Sequence, residues 1–100
     1  MFIGQYENRV DKKGRVVFPA AFRERCRGSV FLWWHRNVLK IYCELPVITS
    51  KEAPFVIEIQ IDSQGRILLP ERQRKFLAIE FGDTLIFSGR LTHIEVARQS

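Results

Sequence analysis

The chain has 100 residues, 46% of them hydrophobic and 27% charged, with a net charge of +5. That length suits one domain; no apolar run approaches the roughly 20 residues of a membrane span and no signal peptide opens the sequence, so a cytoplasmic protein is expected. All of the positive excess lies early: residues 1–46 carry nine Lys or Arg against four Asp or Glu, whereas residues 47–100 carry seven of each. Clustered positive charge speaks for a polyanionic partner.

Residues 2–10 are predicted as the first strand, with Tyr6 and Val10 facing inward. Asp11-Lys12-Lys13-Gly14 reads as a tight turn, because an aspartate carboxylate bonds the backbone N–H groups ahead of it and glycine accepts positive φ. Arg15 follows, and Val16-Val17-Phe18, like Ile67-Leu68-Leu69 further on, is short and wholly apolar, which predicts strands buried on both sides. Pro19 suits the first position of a helix, since its missing N–H is spare there. That helix is expected to run to about residue 27, with Gly28 just past its end. Phe22 and Cys26 would form its buried stripe, with Arg23 and Arg27 on the flank. Residues 29–34 are a further apolar strand, His35-Arg36-Asn37 a turn, and Leu39-Lys40-Ile41 an alternating strand. Trp33 and Trp34, being adjacent, must point to opposite faces, so one is expected in the core and its neighbour at a subunit contact or in solvent.

Residues 44–54 hold two prolines and no periodicity, and read as a linker. Ile57-Glu58-Ile59-Gln60-Ile61 alternates strictly. There the opening pattern returns, 51 residues on. Asp11 and Asp62, Gly14 and Gly65, Arg15 and Arg66, Pro19 and Pro70, Arg23 and Arg74 are identical pairs, and apolar residues replace one another between them. A second helix is expected from Pro70 to about residue 77, then a Gly82-Asp83 turn, then strands at 84–87 and 92–96 paired across Ser88-Gly89-Arg90. Matching residues 30–34 to 85–89 requires a four-residue insertion in the second copy. Such duplication of a supersecondary unit fixes the architecture. Each copy is β-β-α-β-β, too small to close a core alone. The expected organisation is residues 1–44 as a basic first repeat, 45–55 as linker and 56–97 as second repeat, together one structural domain.

The frame of Asp, Gly-Arg, an apolar triplet, Pro and a basic helix resembles the swapped-hairpin DNA-binding domains of the AbrB and SpoVT regulators. Two copies with the Asp-x-x-x-Arg signature, behind a start reading Met1-Phe2-x-Gly4 with Tyr6 and Asp11, resemble the MraZ family of transcriptional regulators over nearly the whole chain. Chains of that family are usually longer, with helical segments between and after the repeats. The resemblance implies a mainly β fold with short helices, in which the two repeats interleave into an intramolecular swapped-hairpin barrel. It also implies repression of a division and cell-wall gene cluster, promoter DNA as partner, nucleoid association, and assembly into a ring.

Arg15 leads the candidate DNA contacts. It stands at the tip of a β element beside Lys12 and Lys13, where a ribbon can enter a groove and an arginine can meet guanine or phosphate bidentately. The competing reading is structural, with Asp11 holding Arg15 across its own turn; both can hold. Lys12, Lys13, Arg9 and Arg23 suit phosphate contacts, which position a protein without reading sequence. Asp62, Arg66 and Arg74 are the matching residues of the second repeat; because Arg23 and Arg74 recur, a structural duty common to both halves competes with contact. No metal site or cofactor is expected: Cys26, Cys43, His35 and His93 lack ligand spacing, and a buried reduced thiol suits Cys26. No HExxH, P-loop or GxSxG motif suggests an enzyme. Two other functions compete, an AbrB-type antitoxin with a protein partner and a ring-forming interaction module without DNA. The first usually has one domain copy and a disordered tail, whereas this sequence ends at Ser100, just after its last expected strand.

Overall fold

The computed structural model describes residues 1–35 and 38–99; the turn expected at His35-Arg36-Asn37 lies outside them at Arg36 and Asn37. The strand-strand-helix-strand-strand order appears twice: β1 (Gln5–Arg9), β2 (Arg15–Val17), α1 (Ala20–Arg23), β3 (Ser29–His35), β4 (Val38–Tyr42), then β5 (Val56–Gln60), β6 (Arg66–Leu68), α2 (Glu71–Phe76), β7 (Thr84–Gly89) and β8 (Ile94–Arg98). A 3-10 turn, Ala53–Phe55, precedes β5.

Pairing crosses between the repeats. Six strands form one sheet in the order β1-β7-β8-β4-β3-β5, and β2 pairs with β6 as a separate ribbon. Exchanging each strand for its counterpart in the other repeat reverses that order onto itself, so a pseudo-twofold runs between β4 and β8. The registers obey it: Tyr6 faces Phe87 in β1–β7, and Ile57 faces Leu32 in β5–β3. Tyr6 and Ile57 are 51 apart whereas Leu32 and Phe87 are 55 apart, which is the four-residue insertion. The ribbon and both helices close over the inner face of the sheet, and residues of both repeats join in one hydrophobic cluster including Phe18, Phe22, Leu32, Leu69 and Phe87. Phe22 anchors it, edge-on to Phe2 at 5.6 Å and to Tyr6 at 5.1 Å. Truncating a ring so placed costs about 3–5 kcal/mol.

Several expectations are corrected. The apolar triplets are not buried on both sides: Val16 and Ile67 are buried, but Val17 is 39% and Leu68 52% exposed. A two-stranded ribbon can cover the core with one face only, and nothing in the described chain lies over the other. Tyr6 is also 39% exposed, its ring perpendicular to that of Phe22. Pro19 and Pro70 sit one position earlier than expected, as extended N-caps with ψ of 130° and 152°. Helix α1 stops at Arg23, because Arg25 and Cys26 donate to Phe22 and Arg23, three residues back, and tighten the chain out of the helix. Cys26 is not a free thiol. It is disulfide-bonded to Cys43, with the Cα atoms 4.6 Å apart. The β3–β4 hairpin returns Cys43 to the end of α1, a proximity that sequence spacing does not reveal. The β7–β8 hairpin closes at Gly89 and Ile94, later than expected.

Trp34 is buried, edge-on to Phe55 at 5.9 Å, while Trp33 stays half-buried on the outer face, 6.1 Å from Tyr42. Gln73 of α2 is buried at the position that Phe22 fills in α1, and its Oε1 has no partner among the described residues.

Candidate nucleic-acid interface

The two Asp-x-x-x-Arg turns are the same structure built twice. Asp11 N–H donates to Arg15 O at 2.8 Å and Gly14 N–H to Asp11 O at 3.0 Å; Asp62–Arg66 and Gly65–Asp62 repeat these bonds at 2.8 and 2.9 Å. Asp11 Oδ1 accepts the backbone N–H of Lys13 and of Arg15, both at 2.9 Å. Asp62 Oδ1 does the same for Gln64 and Arg66, at 2.9 and 2.8 Å. The second carboxylate oxygen accepts Nε–H of the arginine four residues on, at 2.8 Å in both turns. Glycine is required at the fourth position, where φ is +82° at Gly14 and +77° at Gly65.

This arrangement aims each guanidinium. Only Nε is taken by the aspartate, and among the described residues neither Arg15 nor Arg66 has a partner on its Nη edge. That edge is the fork that binds guanine or phosphate bidentately. The backbone N–H of the arginine, with its Nε–H, the N–H two residues ahead and its charge, holds each aspartate carboxyl below the ordinary 3.8, against the opposing effect of desolvation. A depressed carboxylate pKa contributes stability above the unfolded value and loses it only as pH falls through the folded one. The turns therefore stay set throughout the neutral range.

The ribbon brings the two turns together. Arg15 pairs with Leu68, Val16 with Ile67 and Val17 with Arg66. Arg15 and Arg66 thus share one outward face with Val17 and Leu68, and the turns stand at its opposite ends. Asn8 Nδ2 braces the ribbon by donating to Val17 O at 2.8 Å.

The helix arginines cross over. The Arg23 guanidinium lies against Gly65, in the turn of the other repeat, and Arg74 lies against Gly14; a methyl group added to either glycine would overlap the guanidinium. Arg74 Nη1 donates to Leu69 O at 2.5 Å, and its guanidinium stands 5.4 Å from the Phe81 ring. Arg23 is therefore not beside Lys12 and Lys13, as its repeat membership suggested. Arg74 takes that place. Arg9 is exposed and donates through Nε to Gly82 O at 3.3 Å. Lys12 and Lys13 are exposed at the first turn, where the second has Ser63 and Gln64. The other cations of α2 are engaged within the fold, Lys75 with Glu71 at 3.1 Å and Arg72 over Trp34 at 5.6 Å. The first turn thus gathers Lys12, Lys13, Arg15 and Arg74 around Asp11, and the second gathers Arg66 and Arg23 around Asp62. Recurrence of Arg23 and Arg74 was the one sequence signal for the crossing. Nothing in the sequence marked the outward turn of Val17 and Leu68.

The chain is similar to known proteins over nearly its whole length. The transcriptional regulator MraZ of Caldanaerobacter subterraneus subsp. tengcongensis is 32% identical over 116 aligned residues, covering 96% of this chain and 80% of that protein. The MraZ of Thermoanaerobacter sp. (strain X514) is 33% identical with the same coverage. The chain belongs to the MraZ family. Because 96% of this chain fills 116 aligned positions, about 20 of them are residues of the MraZ relative with no counterpart in this chain. No protein-family model matches the chain. A protein of Pyrococcus horikoshii solved in solution aligns with a TM-score of 0.46 at 15% identity, over 100% of this chain and 92% of its own. Among the described residues no helix is long and apolar enough to cross a membrane.

Proposed function

We propose that this MraZ-family chain is a sequence-specific DNA-binding regulator that seats duplex DNA on the β2–β6 ribbon and its first turn. The observation that carries the reading is the pair of aspartate-aimed arginines on one open face, with free Nη edges, beside Lys12, Lys13 and Arg74. In this reading Arg15 and Arg66 reach base edges or phosphate bidentately, and Arg15 dominates because its surroundings are the more positive. Lys12, Lys13 and Arg74 hold phosphates, while Asp11 and Asp62 orient the arginines and touch no DNA. Arg9 contributes phosphate attraction from the rim, and Arg23 serves the second turn.

The two repeats act as one domain, and their crossed strand pairing supports reading it as an intramolecular swapped-hairpin pseudo-dimer. Relatives named transcriptional regulators favour promoter DNA as target; repression of a division and cell-wall cluster, with the protein on the cytoplasmic nucleoid, completes the reading. Exposed Met1, Ile3, Leu45, Val47 and Leu91 supply apolar surface for self-association into a ring.

Salt titration of duplex binding tests it. Log affinity should fall linearly with log salt, by about 0.9 per phosphate neutralised. Absence of any duplex binding at about 50 mM salt, where such contacts are strong, overturns it.

A further inference from the structure

The outward face of the ribbon is half aliphatic, and DNA contacts made by charged groups leave that half unused. Val17 and Leu68 are 39% and 52% exposed, while their strand neighbours Val16 and Ile67 are 1% and 0% exposed. They alternate with the arginines: Leu68 lies across from Arg15, and Val17 across from Arg66. The face is a small rectangle with guanidinium groups on one diagonal and aliphatic groups on the other. Strand spacing gives it sides of about 4.8 and 6.6 Å. A patch of that size fits inside a major groove about 12 Å wide. The alternation comes from both repeats and obeys the pseudo-twofold, so it belongs to the duplicated design and not to one chance exposure.

We propose that Val17 and Leu68 are specificity-determining residues that pack against thymine methyl groups in the DNA major groove, beside the bases met by Arg15 and Arg66. The inference rests on the DNA-binding reading above and adds what the arginines cannot supply. A guanidinium fork selects guanine, whereas the C5 methyl is the one apolar mark a base pair shows in the major groove, and an aliphatic side chain is its complement. Positive charge on the face (Arg15 and Arg66) and at its first-turn end (Lys12 and Lys13) selects a polyanion as occupant and disfavours a purely apolar partner on the same face.

The test uses the full chain and duplexes that it selects itself from a randomised pool. Each selected thymine is then replaced by uracil, which differs only in lacking the methyl. Uracil at the contacted positions should weaken binding about fourfold per methyl, the worth of one buried carbon group. The Val17→Ala/Leu68→Ala variant should bind thymine and uracil duplexes alike. Equal binding of both duplexes by the unaltered chain overturns the inference while leaving DNA binding intact, and needs no variant to fold. Full thymine preference in the folded double variant also overturns it. If the chain selects no duplex at all, the DNA reading itself fails.

Discussion

The first and second Asp-x-x-x-Arg turns differ in almost nothing that holds them and in most of what they present. Their hydrogen bonds agree to within about 0.1 Å. Each also receives one arginine from the other repeat, Arg74 at the first and Arg23 at the second; what differs is the pair of residues inside the turn, Lys12 and Lys13 against Ser63 and Gln64. The identical residues are thus the scaffold, and the variable ones set the charge. Identity between repeats reports a shared physical need, in this case an aimed guanidinium. It does not report an equal share in function.

The largest expected effect is on the scaffold. Gly14→Ala and Gly65→Ala each place a side chain at positive φ and push out the crossed arginine, at a cost of about 1–3 kcal/mol. Thermal melts should fall by about 5–20 °C, to a similar degree for both. A large loss at one glycine with none at the other would end the claim that the turns are equivalent scaffolds.

Next comes the difference in function. Arg15→Ala should weaken duplex binding by about 1–3 kcal/mol, or roughly 5- to 150-fold. Arg66→Ala should weaken it less, though measurably, because both arginines share one ribbon face. Equal melting temperatures must accompany the binding data. No effect at Arg66 would mean that the second turn stands clear of the DNA despite its place on the ribbon.

Much of this was legible in the sequence. The duplication, the β-β-α-β-β order, the Asp–Arg contact and the four-residue insertion follow from the spacing of Asp, Gly, Arg and Pro. The misreadings share one cause: they depend on what lies opposite a residue across the interleaved sheet. An apolar triplet reads as fully buried unless one knows that its ribbon has no outer layer, and Val17 and Leu68 are therefore expected inside. The disulfide between Cys26 and Cys43 needs the return of β4, and Arg23 serves the second turn only because β2 pairs with β6. Buried Gln73 was within reach, because the frame sets it level with Phe22, although polar helix residues by themselves predict exposure.

The most direct test of the central claim exchanges the charges and leaves the scaffold alone. In Lys12→Ser/Lys13→Gln/Ser63→Lys/Gln64→Lys, the turn residues trade places while every aspartate, glycine and arginine stays. Arg15→Ala and Arg66→Ala are then compared on duplexes selected separately for the unaltered chain and for the exchange variant. If local charge chooses the acting turn, Arg15→Ala costs more in the unaltered chain and Arg66→Ala costs more in the exchange variant, by about tenfold or less in each. If Arg15→Ala remains the costlier change in both, position in the fold makes the turns unequal, and the claim that charge does so is wrong.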